Sequence, residues 1–218
     1  MPRTETIEKT VFTFAELSDD AKERARDWWR ECVTQDFHYC SGWVIEDAEQ
    51  VAAILGIEFD TRPVKLMNGD TRRKSIVYWS GFARRGDGAC FEGRYSYAKG
   101  CAKAIRAHAP TDTRLHAIAD SLLEAQKRAF YKLEASATHR GPYCHSGCME
   151  VNVSHADSSW RDVGPAGETI ERAMRDFADW IYRQLEAAYD DAMSDESIDE
   201  LIEANEYEFE FDEHGRIH

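Results

Sequence analysis

Nothing in this 218-residue sequence approaches the roughly 20 consecutive apolar residues that a membrane-spanning helix needs, so no span is expected. The opening Met1-Pro2-Arg3-Thr4-Glu5 has no apolar core of the kind a secretory leader carries, so a cytoplasmic location is expected. Proline is scarce, with five residues, and no Pro/Gly/Ser-rich linker or internal repeat divides the chain. One domain over residues 1–218 is therefore the simplest organisation, and a 43% hydrophobic composition supplies one sizeable core. Familiar catalytic signatures are missing as well. Gly86-Asp87-Gly88 lacks the Lys-Ser/Thr of a phosphate-binding loop, and it joins two strand-like segments instead of opening a helix as a dinucleotide fingerprint does.

Basic residues are absent from one long stretch. The chain has 41 acidic and 27 basic residues, a net charge of −14, and thirteen of the acids fall between Gln184 and Glu213, where there is no Lys or Arg. Outside that window 28 acids face 27 bases, so the acidity is local. A net-acidic protein is repelled by phosphate backbones, which argues against direct nucleic-acid binding. The acidic segment suits a partner with a basic surface, with Asp190, Asp191, Glu200, Glu203, Glu208 and Glu210 as candidate contacts. A solvated helix face and an edge strand guarded by carboxylates would account for the same residues.

What is present reads as α+β. Glu8–Phe14 alternates like a strand, and Ser18-Asp19-Asp20 caps a helix over Asp19–Val33. A loop over Thr34–Cys40 and a helix over Gly42–Leu55 follow, closed by Gly56. Ile57–Met67, Lys74–Arg84 and Ala89–Ala98 read as three strands joined by the tight turns Asn68-Gly69-Asp70 and Arg85-Gly86-Asp87-Gly88. Two helices follow, Gly100–His108 and Thr113–Ala137, then a strand over Pro142–His155 and a loop over Ser158–Gly167. Glu168–Ser194 has the apolar stripe of a long amphipathic helix, Glu196–Ala204 that of a short one, and Glu206–Phe211 alternates acid and aromatic as a last strand. The expected architecture is one antiparallel sheet of about six strands with helices mainly on one face. Trp28 and Trp29 are adjacent on a helix and cannot share a face, so one of them is expected to stand partly exposed, as an interface anchor does.

Six cysteines without a leader are expected to stay reduced. Cys144-His145-Ser146-Gly147-Cys148 is the most metal-like segment, and His38 or Cys40 could complete a tetrahedral zinc site. No second tight Cys/His pair follows it, however, and on a strand positions 144 and 148 would share a face as small core residues. No cofactor is therefore expected, with zinc at Cys144, His145 and Cys148 as the alternative. A Cys/His nucleophile pair drawn from the same residues is a further enzymatic alternative. The Gly86–Gly93 turn could instead admit a nucleotide-like ligand, with Trp79 and Phe91 for stacking and Arg85, Asp87 and Arg94 for polar contacts. A plain hairpin whose Asp87 satisfies turn amides accounts for it equally.

The stretches Phe14-Ala15-Glu16-Leu17-Ser18-Asp19-Asp20-Ala21-Lys22, Ser80-Gly81-Phe82, Gly86-Asp87-Gly88-Ala89-Cys90-Phe91-Glu92-Gly93 and Asn205-Glu206-Tyr207-Glu208-Phe209 resemble a family of small phage and prophage proteins. Its members are called hypothetical proteins or the antitoxin of a toxin–antitoxin stability system. The family pattern often has Gln before the Gly-Asp-Gly turn, where this chain has Arg85. The resemblance implies a phage or prophage accessory protein in the cytoplasm of a bacterial host, one that binds a host protein stoichiometrically without catalysis. A sponge for a nucleotide-like signal and a zinc- or thiol-dependent enzyme are the alternatives, and homo-oligomerisation is left open.

Overall fold

A computed structural model describes residues 10–157 and 162–210. Expectations for Glu8, for part of the Ser158–Gly167 loop and for Phe211 lie outside the described residues. In chain order, strand β1 (Phe12–Thr13) leads through a 3-10 turn into helix α1 (Asp19–Cys40), and α2 (Gly42–Leu55) follows. Six short strands come next: β2 (Ile57–Phe59), β3 (Thr61–Lys65), β4 (Thr71–Ser75), β5 (Val77–Trp79), β6 (Ala89–Phe91) and β7 (Gly93–Tyr95). Helices α3 (Cys101–His108) and α4 (Thr113–Arg128) precede strands β8 (Leu133–His139) and β9 (Met149–His155). The chain closes with α5 (Gly164–Ala192), α6 (Asp195–Ala204) and β10 (Glu208–Phe209). The class is α+β as expected. The strands, however, form four small antiparallel sheets, one of four strands and three of two, and not one sheet of about six.

The chain divides into two compact units, residues 1–41 with 187–218 and residues 42–186. In the first, Ser18 caps α1 by accepting from the Ala21 N–H, a contact worth about 1 kcal/mol. The core is Phe14, Leu17, Ala21 and Ala25 against Ile198 and Ile202 of α6 and Phe209 of β10. Strand β10 pairs with β1 through Phe12↔Phe209 and Thr13↔Glu208. Helix α1 does not stop at Val33 but runs to Cys40. The intervening residues contain no Gly or Pro to break it, and Phe37, buried against the Tyr189 ring at 5.2 Å, anchors the extra turns.

In the second unit the three expected strands exist, and each changes partner halfway. The switch happens at single residues: the Asp60 N–H donates to Glu92 O, Glu92 N–H to Ile76 O, and Ile76 N–H to Asp60 O. This closed ring of three bonds splits the strands into pairs β2–β7, β3–β4 and β5–β6. It is the physical reason a single wide sheet does not form, because each strand satisfies two different neighbours along its length.

The four-stranded sheet has order β2-β7-β8-β9. Its central strand β8 was expected to be the end of a helix reaching Ala137; the helix ends at Arg128. Phe130 and Tyr131 take positive φ (55° and 61°) and reverse the chain. The buried Gln126 side chain then acts as a piece of strand: its Nε2 donates to Leu133 O at 2.7 Å and its Oε1 accepts the Leu133 N–H at 3.2 Å. Leu133, Ala135 and Ala137 alternate buried with exposed Glu134, Ser136 and Thr138, so one face of this sheet is covered and the other is polar. Alanine favours helix locally; here the burial of one face in the sheet overrides that preference. On the covered side Phe91, Phe59 and Phe177 pack ring to ring, and the Trp180 ring stacks on Phe177 at 5.7 Å.

Candidate functional site

The Gly-Asp-Gly turn and the Cys144–Cys148 segment meet in the second unit. Ser80 N–H donates to Gly88 O, closing a loop that Asp87 holds from inside. The Asp87 carboxylate accepts from Arg84 N–H at 2.6 Å, from Ala83 N–H at 3.1 Å and from the Ser80 hydroxyl at 3.1 Å. The Arg84 amide above all holds its carboxyl below the usual range. Its acceptor capacity is thus spent on its own loop, as the plain hairpin account requires. Gly86 has φ +96°, which a side chain would strain, and Gly88 lies so close to the 144–145 backbone that a Cβ would come within 2.5 Å of the His145 Cβ.

Residues 142–148 are not strand; β9 begins only at Met149. The segment bends because His145 caps a 3-10 turn over Ser146–Cys148, its Nδ1 accepting the Gly147 N–H at 3.0 Å. Its Nε2 lies 3.3 Å from the Cys148 Sγ. Cys144 turns to Cys90, with which it shares a hydrogen bond. Burial pushes the Cys90 thiol up to about 12 and raises that of Cys144, which makes both poor nucleophiles at neutral pH. Both His145 nitrogens are engaged inside its own turn, and no carboxylate among the described residues orients the imidazole. Among the described residues no three His, Cys, Asp or Glu side chains are grouped to hold a metal ion. Cys144, His145 and Cys148 come together, but as a wedge under the turn, fixed from outside by Arg175, which donates to Ser146 O at 2.7 Å. His38 and Cys40 belong to the first unit.

The proposed ligand residues are dispersed. Phe91 is fully buried among Phe59 and Phe177, so its ring has no face for a base and is removed from the candidate site. Trp79 stacks on Phe82 at 5.7 Å, and Phe82 in turn on Tyr182, whose hydroxyl donates to Gly81 O. Arg94 points from β7 to the exposed face of the four-stranded sheet, opposite Glu58 and Ser136, whereas Arg85 is exposed on the turn. These side chains do not converge.

The other candidate lies in the first unit and has a different character. Residues 42–186 contain 20 acidic and 20 basic residues, so the entire net charge of −14 falls on the first unit. Four of its acids pair with arginines. Arg26 forks onto Asp199 with two bonds of 2.7 Å and reaches Glu23, and Arg30 binds Glu23, Asp27 and Asp195, clasping α6 to α1. By contrast Asp190, Asp191, Glu200, Glu203 and Glu208 are exposed and have no basic partner among the described residues; Glu210 is half-buried. The same unit carries an aromatic cluster. Trp28 is 39% exposed and Tyr207 38%, with rings 5.6 Å apart edge to face, and Trp29 packs against both. The Trp29 indole N–H is buried with no acceptor among the described residues. A shallow groove of about 290 Å³ on this unit is lined by Phe12, Glu16, Leu17, Ser18, Ala21 and Arg24. An exposed aromatic pair is the kind of anchor that protein-docking surfaces are enriched in. The adjacent tryptophans pointed to it in the sequence; their pairing with Tyr207, about 180 residues away, needed the fold.

The family model for a domain of unknown function, DUF8835, matches residues 41–195, and the chain belongs to this family. The match takes in the whole second unit and ends inside the first. No curated protein and no solved structure matches the chain.

Proposed function

We propose that this DUF8835 protein works by stoichiometric, non-enzymatic binding of a host protein with a basic surface, through its acidic first unit. The setting is a phage or prophage accessory role in the bacterial cytoplasm, as a counter-defence inhibitor or antitoxin-like protein. One observation carries the reading: the whole net charge lies on one unit, where unpaired carboxylates adjoin an exposed Trp28–Tyr207 pair. Tyr207 is flanked along the chain by Glu206 and Glu208, and Glu31 lies one helical turn beyond Trp28. The aromatic pair supplies apolar area, and the carboxylates supply steering and specificity toward a basic patch. The Asp87 carboxylate is taken up by its own loop, which supports reading that turn as structural.

The test is affinity capture from host lysate with the full chain, comparing wild type with a Glu200→Lys/Glu203→Lys/Glu208→Lys variant and with Trp28→Ala. A single partner held in constant ratio, released by salt and lost with either variant, supports the reading. Retention of the same partner by both variants, or a catalytic turnover that both variants keep, refutes it.

A further inference from the structure

We infer that the β3–β4 hairpin is a ribbon that binds duplex DNA. The argument against nucleic acid drawn from net charge applies to the first unit; the second is neutral overall, and its charges are unevenly placed. Between Arg62 and Lys74 there are five basic residues and one acid, and every side chain in that span is exposed. The hairpin is its own two-stranded sheet. Its register sets Arg62 opposite Lys74 and Val64 opposite Arg72, so one face presents three cations. Like charges directly across a ladder are destabilising, and a polyanion would relieve that cost. Lys65 and Lys74 have no ion-pair partner among the described residues, and the Arg72–Glu46 pair is long, at 3.5 Å, and exposed. The one acid, Asp70, sits at the tip, its carboxylate accepting from the Asn68 amide at 2.8 Å. At that tip Met67 is fully exposed and Leu66 44% exposed, an apolar end suited to contact with the thymine methyl groups of the major groove.

A five-residue two-stranded ribbon is about 17 Å long, and the major groove of B-DNA, about 12 Å wide, admits such a ribbon. The deep, narrow major groove of A-form RNA does not. This site is independent of the acidic surface and stands or falls separately from it.

The test is fluorescence anisotropy of the full chain with a labelled DNA duplex of about 30 bp, at about 50 and about 200 mM salt. Wild type should bind saturably and weaken steeply with salt. Arg72→Glu/Lys74→Glu, both on the three-cation face, should weaken binding more than tenfold and lower the salt slope by about 1.8, since each lost phosphate contact removes about 0.9. Met67→Ser should weaken binding several-fold while leaving that slope unchanged. The inference is overturned by absence of saturable binding at the lower salt, by wild-type affinity in the double variant, or by equal affinity for an RNA duplex of the same sequence.

Discussion

Gln126 offers the sharpest test of how this fold is held. Its amide is wholly buried and satisfies three groups: the N–H and C=O of Leu133, and the Tyr95 hydroxyl at 3.3 Å. Gln126→Met keeps the volume and removes every one of those bonds. A buried backbone group left unpaired costs about 1–3 kcal/mol, so the two at Leu133 set a loss of about 2–6 kcal/mol, a large share of a typical total of about 5–15 kcal/mol. In urea denaturation the midpoint should fall sharply with the slope unchanged, and the Leu133 amide should lose protection in hydrogen exchange. Gln126→Glu adds a pH signature. A protonated carboxyl can still accept from Leu133 N–H and donate to Leu133 O; an ionised one cannot donate. Burial raises its folded pKa above the unfolded value of about 4.3. Its stabilising bonds are therefore fully present below that value and are lost as pH rises through the folded pKa. Gln126→Glu should match the methionine variant near pH 8 and approach wild type near pH 4 to 5. A methionine variant within about 1 kcal/mol of wild type, or a glutamate variant with no pH dependence relative to wild type, refutes the reasoning.

The Arg26 fork should matter most at neutral pH. The Arg26 guanidinium holds Asp199 below its ordinary range, so that contribution is present above the unfolded carboxylate pKa and is lost as pH falls through the depressed one. Arg26→Met should lower thermal stability at pH 7 by about 1–2 kcal/mol and have a much smaller effect at pH 2, measured by circular dichroism melts. Cys90 and Cys101, buried and with raised pKa values, should resist an aromatic disulfide reagent at pH 8 until the chain is unfolded; rapid labelling of the native protein would contradict their placement. Gly88→Ala should destabilise both the turn and the Cys144–Cys148 wedge, because its Cβ would meet the His145 backbone at 2.8 Å, whereas Gly69→Ala meets no neighbour and should disturb only its own turn. Hydrogen exchange at residues 80–88 and 144–148 distinguishes the two.

Local rules carried the helices whose ends have local causes. Ser18 and Ser194 cap helices whose first turns are acidic, and both accept the expected backbone N–H. They failed where a distant residue decides the outcome. Leu133–His139 is rich in small helix formers, and only the Gln126 side chain and the neighbouring strands β7 and β9 make it a strand. The two cysteines at 144 and 148 read as one strand face, yet the His145 side chain caps a 3-10 turn over Ser146–Cys148 and the strand begins only at Met149.

From the sequence alone came the α+β class, the three meander strands with their Asn-Gly and Gly-Asp-Gly turns, and the existence of an acidic stretch from Gln184 to Glu213. Those features follow from periodicity, turn chemistry and counting, which involve residues close together in the chain. Tertiary structure decided the rest: the ring of bonds at Asp60, Ile76 and Glu92 that divides the strands into small sheets, and the gathering of the whole net charge on the unit that carries Trp28 and Tyr207. Both depend on which distant segments satisfy one another's backbone groups and side chains, and that pairing is set by burial across the fold, not by neighbours in sequence.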